Sequence, residues 1–317
     1  MISDPERVRA LLQTAPMPPV PEAVPGETDI RWLRSQVPRF RDGAEHQRRR
    51  AAVQRELDRL DLELLRASAR ARAGHPLAHV RTLLAALDLP ESAADSVALV
   101  AAAYQPHQPI TEAADAAVAE LVTLCRTAIR REYGNSAGTA GQADDTCNSH
   151  PHSAGPGTTH SHHHPPCDST SHDHGNRAGA SSSDSGSIGD CDCSGTSPDS
   201  DSGVVALICV LVQACGATAE LIAAARAFDQ APLTERPARI MAEAPPLRST
   251  RRMVDGVATE LDLRHPGLGF GAGPHRCPGG EHALALVTGV LEGDASAPNG
   301  TSPHSGPGAE GGCPRGR

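Results

Sequence analysis

The stretch of sequence that most constrains the fold is FGAGPHRCPGG, which occupies residues 270–280. Glycines and prolines on both sides of Cys277 predict a tight loop with exposed backbone N–H groups, and the Ala/Leu-rich segment after it predicts a helix. A cysteine just before a helix lies near the partial positive charge of the helix N-terminus, which favours the thiolate over the thiol. Such a thiolate is a nucleophile or a metal ligand. Because the pattern Phe-x-x-Gly-x-His-x-Cys-x-Gly fixes five positions, chance is a poor explanation for it.

Two segments upstream of this loop carry further candidate residues. Residues 40–50 read FRDGAEHQRRR, in which His46 and Arg50 are four residues apart. A helix would place both side chains on one face, where two cationic donors suit two carboxylates. Residues 204–228 are apolar nearly all round, which predicts a helix buried through the middle of a domain, with Thr218 inside it.

The loop resembles the haem-binding loop of the cytochrome P450 family, and the resemblance extends over residues 29–60, 204–228 and 240–293. It implies a haem b cofactor whose iron is ligated by the Cys277 thiolate. Phe270 would then pack against the thiolate side. Four cationic side chains would bind the haem propionates: His46, Arg50, Arg252 and His275. Thr218 would be the catalytic threonine of the long helix that crosses over the haem.

The same resemblance implies a haem-thiolate oxidoreductase that carries out monooxygenase-type oxidation of a small organic substrate. Electrons would come from a ferredoxin-type donor, since the sequence has no Gly-x-Gly-x-x-Gly fingerprint for a cofactor of its own. The alternative is a non-catalytic haem-binding relative, used as a sensor or as a partner of a full-length enzyme. A third class, a metal-storage module, stays open because eight His lie between His150 and His174.

Three departures from the family pattern bear on catalysis. The acid expected before Thr218 is Ala217, and the helix-kinking glycine is Cys215. In the family this acid–threonine pair delivers protons to oxygen. The Glu-x-x-Arg pair expected upstream of the Pro-Pro-Leu segment is absent. The interval from Pro246 to Cys277 is much shorter than usual, which predicts that strands and the meander region are missing.

Composition separates the foldable part of the chain from low-complexity segments. Residues 136–203 and 295–317 are rich in small and polar residues with few apolar ones, which predicts disorder. The segments 1–135 and 204–294 predict one helical domain interrupted by the insertion. Since only 2% of residues are aromatic, an aromatic-rich β-sandwich and an RNA-recognition sheet are excluded. The predicted fold is mainly α: a truncated cytochrome P450-like helical fold with a long disordered His/Ser/Gly-rich insertion.

Hydrophobic spacing predicts the positions of the helices and constrains the partners. Helices are predicted over residues 4–13, 43–73, 77–87, 92–104, 111–133, 204–228, 233–242 and 281–292. No run of about 18 apolar residues lacks a charge, which predicts no membrane contact. The first residues lead into no secretory signal, which predicts a cytoplasmic protein. Thirteen Arg against six Asp or Glu lie in residues 31–81; this pattern is most often a solvated face, and no nucleic acid partner is predicted.

Overall fold

The computed structural model describes residues 1–138 and 199–296, and these residues are mainly helical, which confirms the predicted fold class. The helices are α1 (Pro5–Thr14), α2 (Ile30–Gln36), α3 (Gly43–Asp58), α4 (Leu62–Ala71), α5 (Ala78–Ala86), α6 (Ala94–Ala103), α7 (Glu112–Gly138), α8 (Asp199–Ala227), α9 (Arg236–Glu243) and α10 (Gly280–Ser296). Residues 1–135 and 199–296, on the two sides of the gap, belong to one compact unit.

Two predicted boundaries differ from the structure. The predicted helix over 43–73 is two helices, α3 and α4, because the side chain of Asp61 caps α4 by accepting a hydrogen bond from the Leu64 backbone N–H at 2.9 Å. Helices α7 and α8 also extend into both ends of the predicted insertion, residues 136–203. Helix α10 likewise extends two residues into the predicted disordered tail, residues 295–317. The predicted disorder of the rest of both segments lies outside the described residues.

The prediction that strands are missing between Pro246 and Cys277 was wrong. Strands β1 (Ser249–Val254) and β2 (Val257–Asp262) form an antiparallel hairpin in that interval. Asp255 and Gly256 make its two-residue turn with positive φ angles of 50° and 77°, the backbone that an Asp-Gly pair favours between paired strands. The hairpin places Arg252 at the centre of β1 with a buried side chain.

Helix α8 is the centre of the core and contacts α3, α5, α6, α9 and α10. Residues Asp201–Ala227 are long and apolar enough to cross a membrane by composition alone. However, 67% of the most apolar window in this helix is buried inside the protein. The apolar composition of α8 is therefore explained by its packing among the other helices.

Close packing between α4 and α10 anchors the segment that follows Cys277. Gly289 and Gly293 lie on α10 against α4, and a Cβ atom at either position would collide with the backbone carbonyls of Arg66 and Arg70 respectively. Small residues four apart on a helix allow two backbones to approach this closely. The Arg66 guanidinium also pairs with the Glu292 carboxylate. The second half of α10, the helix that follows the loop, is thus held against α4.

Candidate functional site

All seven site residues predicted from the sequence line one cavity of about 220 Å³. These residues are His46, Arg50, Thr218, Arg252, Phe270, His275 and Cys277. They come from α3, α8, β1 and the loop before α10, so the fold brings together four segments that are far apart in sequence. Their individual roles stay predictions.

The loop around Cys277 is held by its own backbone hydrogen bonds. The Cys277 N–H donates to the Phe270 carbonyl at 2.8 Å, and the Gly271 N–H donates to the Leu268 carbonyl at 2.8 Å. Gly273 has a φ of 68°, and a Cβ atom there would lie 2.7 Å from the Leu12 carbonyl oxygen, so only glycine fits this position. The loop geometry therefore depends on the glycines that the sequence pattern contains.

The Cys277 thiol is exposed, and because it lines the cavity, the surface it exposes faces that cavity. Burial raises its pKa above the ordinary value, although the Gly279 backbone N–H and the Arg50 guanidinium act in the opposite direction. The sequence predicted the reverse, a thiol readily ionised by its position before a helix. Desolvation of the charged form by the surrounding protein outweighs these two effects. A bound metal cation would reverse this balance, since a coordinating thiol is deprotonated.

His46 and Arg50 lie on the cavity-facing side of α3, as their four-residue spacing predicts. The His46 ring lies 4.1 Å from the His275 ring, centroid to centroid, and His275 Nε2 lies 3.1 Å from a carboxylate oxygen of Asp42. Burial lowers the pKa of His46 to about 4, with additional repulsion from His275 and Arg50. At neutral pH, His46 is therefore a neutral hydrogen-bonding group.

Arg252 is the most deeply buried cation of the cavity, with 3% of its surface exposed. Burial lowers the pKa of Arg252 to about 10, and repulsion from Arg39 adds to this effect. Its Nε atom is buried without a hydrogen-bond partner, as is the Nε atom of Arg39. Leaving a buried charged donor unpaired is costly.

The cavity lining has an unbalanced charge. Among the residues that the structure describes, it includes three Arg and three His but no Asp or Glu. Arg39, Arg50 and Arg252 form no ion pair within that part of the chain. Such a cavity fits a ligand that brings its own carboxylates.

Comparison with known proteins decides the fold. No protein-family model and no curated protein matches the sequence. The structure is similar to that of P450BioI in complex with hexadec-9Z-enoic acid ligated acyl carrier protein, with a TM-score of 0.54 and 11% identity. That match covers 90% of this chain and 82% of the other. This chain has a cytochrome P450-like fold. CYP105P1 in complex with filipin I is also similar, with a TM-score of 0.47 and 16% identity over 90% of this chain and 79% of the other.

The residues of this P450-like cavity fit a haem. A haem has two propionate carboxylates and an iron that accepts a thiolate ligand. The cavity supplies a cysteine thiol and a set of cations without internal counterions, two of them with orphaned buried nitrogens. Arg50 and Arg252, together with His46 and His275, would hold the propionates, and Cys277 would ligate the iron.

Thr218 is buried in α8 and lines the same cavity. Its hydroxyl forms no hydrogen bond with any described residue, whereas the hydroxyls of Thr82 and Thr123 donate to the carbonyls four residues earlier in their helices. The Thr218 hydroxyl is therefore available to a ligand in the cavity. Ala217 also lines the cavity, so the position expected to carry an acid faces the site but supplies no proton donor.

Helix α9 shows a second departure from the P450 pattern. Where the family's Glu-x-x-Arg pair is expected, the structure has an exposed ion pair in the reverse order, with Arg239 Nε 3.1 Å from the Glu243 carboxylate. The Arg239 guanidinium also lies over the Phe228 ring, 5.5 Å from its centroid. This pair lies on the surface and cannot replace a buried one.

Sequence reasoning missed two basic residues of the cavity, Arg39 and His282. Arg39 lies in the short 3-10 turn Pro38–Phe40, outside helix α3, so the helical spacing that relates His46 to Arg50 does not extend to it. His282 lies in the first turn of α10, where its Nε2–H donates to the Leu57 carbonyl at 2.9 Å. A histidine five residues after Cys277 was a usable signal, because it falls in the first turn of the predicted helix.

Proposed function

We propose that this protein binds haem b and acts as a haem-thiolate oxidoreductase on a small organic substrate, with monooxygenase-type chemistry. The observation that carries the proposal is the union, in one cavity, of the Cys277 thiol with unpaired cations. The core satisfies the buried Arg34 guanidinium with backbone carbonyls, whereas the Nε atoms of Arg39 and Arg252 have no partner among the described residues. The P450-like fold supports the same assignment.

Each group of residues has a distinct task in this proposal. The Cys277 thiolate ligates the iron, and the loop hydrogen bond from its N–H to the Phe270 carbonyl fixes its position. Arg50 and Arg252 bind the propionates and neutralise their charge. When bound, the haem supplies redox chemistry that activates O₂ with electrons from an external, ferredoxin-type donor.

The residues of α8 shape the substrate side of the cavity. The cavity-facing residues of this helix include Val210, Ala214, Ala217 and Leu221, which exclude water and contact an apolar substrate. Thr218 presents a free hydroxyl there, and we assign it to proton relay between water and the reacting oxygen. The task normally shared with an acid falls to Thr218 and water, because Ala217 has no ionisable group.

A first experiment tests haem-thiolate binding. The purified protein is loaded with haem, reduced and treated with CO, and its absorption spectrum is recorded. A strongly red-shifted Soret band with one haem per chain is expected. An unshifted band, or no retained haem, would contradict the proposal and would favour the alternative of a His-rich metal-storage module. The histidines of that alternative, at residues 150–174, lie outside the described residues.

The non-catalytic reading is the second candidate, and Ala217 is the observation that favours it. Oxygen consumption and product formation, measured with NADPH, a ferredoxin reductase and a ferredoxin, separate the two. A thiolate-type spectrum without any substrate-dependent turnover, with either O₂ or hydrogen peroxide, would favour the sensor or partner role.

A further inference from the structure

Arg39 lies where the cavity that contains Cys277 meets a second cavity of about 1110 Å³. Five residues line both cavities: Met17, Arg39, Pro246, Leu247 and Thr250. Arg39 is the charged member of this set. The 3-10 turn that carries it, Pro38–Phe40, lies between α2 and α3 and places the side chain at this junction.

The Arg39 guanidinium has no counterion in the part of the chain that the structure describes. Its Nε atom is buried and unpartnered. The acids that line the second cavity do not form an ion pair with it: Glu243 pairs with Arg239, and Glu260 accepts a hydrogen bond from the Ser249 hydroxyl. The third acid, Glu220, lies beyond ion-pair distance of Arg39 and is exposed.

Charge balance leaves Arg39 without a role in haem binding. The positive charge of a ferric porphyrin is offset by the Cys277 thiolate, and the two propionates are offset by Arg50 and Arg252. Arg39 is the remaining permanent cation of the cavity lining. An additional anion would relieve the cost of burying it.

The α8 surface next to Arg39 is neutral or apolar, whereas Arg252 of β1 lies near enough to repel it. Cys209 and Gln213 of α8 line the cavity, and Arg39 lies close enough to Cys209 to lower the pKa of its thiol, although burial raises that pKa to about 12 overall. Further along the helix, Val210, Ala214 and Leu221 continue the same face with the spacing of one helix side. A ligand that suits this surface has an anionic end and an apolar body.

We infer that Arg39 binds the carboxylate of the substrate, and that the apolar body of the substrate lies along the face of α8 that carries Val210, Ala214 and Leu221. This inference rests on the proposed function and adds the substrate class, an apolar carboxylic acid. A planar guanidinium binds a carboxylate with two parallel hydrogen bonds. The second cavity provides the route by which such a molecule enters.

The test compares acids with their neutral analogues on the haem-loaded protein. Octanoate, dodecanoate and hexadecanoate are titrated alongside the corresponding alcohols, and dissociation constants are measured by the change in the Soret band and by calorimetry. The wild type should bind at least one acid more tightly than its alcohol. Arg39→Gln should weaken binding of that acid by about 10-fold or more while leaving the alcohol within about twofold, as expected for loss of a charged hydrogen bond.

Two variants keep the result interpretable. Arg251→Gln is the matched control, because Arg251 is exposed, lies on β1, and lines the second cavity but not the first. The Arg251→Gln variant should bind the acid as tightly as the wild type does. Arg39→Lys keeps the charge but loses the fork of two donors, so it should retain part of the preference for acid. If Arg39→Gln fails to fold, Arg39→Lys takes its place in the comparison of acid with alcohol.

The outcomes that overturn the inference differ from those that overturn the proposed function. Haem loss in Arg39→Gln comparable to that of an Arg252 variant would make Arg39 a propionate ligand. Equal binding of acid and alcohol, or no saturable binding of any of the three acids, would also overturn the inference. A wild-type protein without the thiolate-type CO spectrum would instead contradict the proposed function, and that spectrum is recorded before any titration.

Discussion

The arginines on the outside of the helices and those around the cavity differ in whether they have a carboxylate partner. Outside, Arg66 pairs with Glu292 and Arg72 pairs with Glu91. Around the cavity, Arg39, Arg50 and Arg252 have no carboxylate partner among the described residues. Exposed pairs contribute little to stability, roughly 0–1 kcal/mol each, whereas unpaired buried cations oppose folding.

Helix α3 shows both behaviours within six residues. On its outer side, Glu45 pairs with Arg48 and Arg49. On its inner side, Arg50 faces the cavity, where burial lowers its pKa and the nearby Cys277 acts in the opposite direction. Because adjacent residues of one helix differ in this way, the missing counterions around the cavity reflect the site and not a general shortage of acids. The predictions below follow from this contrast.

The largest effect is expected from removing the thiol. Cys277→Ser should abolish the red-shifted Soret band of the reduced CO complex, because a hydroxyl is a poor ligand for ferric haem compared with a thiolate. Cys209, the other cysteine that lines the cavity, serves as the control. Cys209→Ser should keep the band. If the Cys277 variant keeps the band and the Cys209 variant loses it, the ligand assignment is wrong.

The second prediction tests the two classes of arginine directly. Arg252→Met should weaken haem binding by about 10- to 100-fold, since it removes charged hydrogen bonds to the ligand. In the haem-free protein the same change should raise the free energy of unfolding by about 1 kcal/mol, because it removes an unpaired buried cation. Arg66→Met, which breaks the partly exposed pair with Glu292, is the matched control.

The control should show haem affinity within about twofold of the wild type and a loss of stability below about 1 kcal/mol. Haem retention is measured by transfer to excess apomyoglobin, and stability by urea unfolding of the haem-free proteins. Equal effects of the two substitutions on haem affinity would remove the distinction between the two regions.

The third prediction concerns acid sensitivity. The pKa of His46 is about 4 in the folded protein and near 6.5 when unfolded. As pH falls from 6.5 to 4, the unfolded chain takes up a proton that folded His46 does not, so stability falls by roughly 3 kcal/mol and then levels off. Arg50, Arg252 and His275 oppose protonation of His46, while Asp42 favours it.

Bound propionates would also favour protonated His46, so the haem-loaded protein should lose less stability over this pH range than the haem-free protein. His46→Gln should flatten the haem-free profile, and His75→Gln, at an exposed position, should leave it unchanged. Urea unfolding at pH 7, 6, 5 and 4 measures each profile. Parallel profiles for the wild type and His46→Gln would show that His46 does not carry the effect.

The sequence identified those site residues that belong to local patterns. Cys277, Phe270 and His275 fall within one eight-residue motif, and His46 and Arg50 share a helical spacing. Arg39 could not be found in this way, because a 3-10 turn and not a helix repeat brings it to the cavity. The charge imbalance of the cavity could not be predicted from the sequence either, since it depends on which acids point away from the site in the folded protein.

The errors in the fold prediction also have local causes. The hairpin of β1 and β2 was overlooked because comparison with family length outweighed the Asp255-Gly256 turn signal. The raised pKa of Cys277 was missed because the helix N-terminus was considered without the cost of desolvation. Both errors arose where one known tendency was applied without the competing physical effect.

The smallest and most specific prediction concerns Ala217, the neutral residue beside Thr218 in the cavity. Reduction of O₂ consumes protons, and a general acid near the reacting oxygen typically contributes about 10²- to 10⁴-fold in rate. Ala217→Glu should therefore raise substrate-dependent O₂ turnover, but by about 10-fold or less, since a haem bound in the cavity would desolvate the new carboxyl and raise its pKa. Turnover with hydrogen peroxide, which already carries its protons, should change less than twofold.

Ala217→Gln is the matched control, because it adds the same volume without an acid. NADPH-coupled O₂ consumption and peroxide-driven dye oxidation measure the two activities on the same preparations. An equal rise in the Gln variant would assign the effect to cavity shape, and no rise in either would show that proton delivery does not limit this protein.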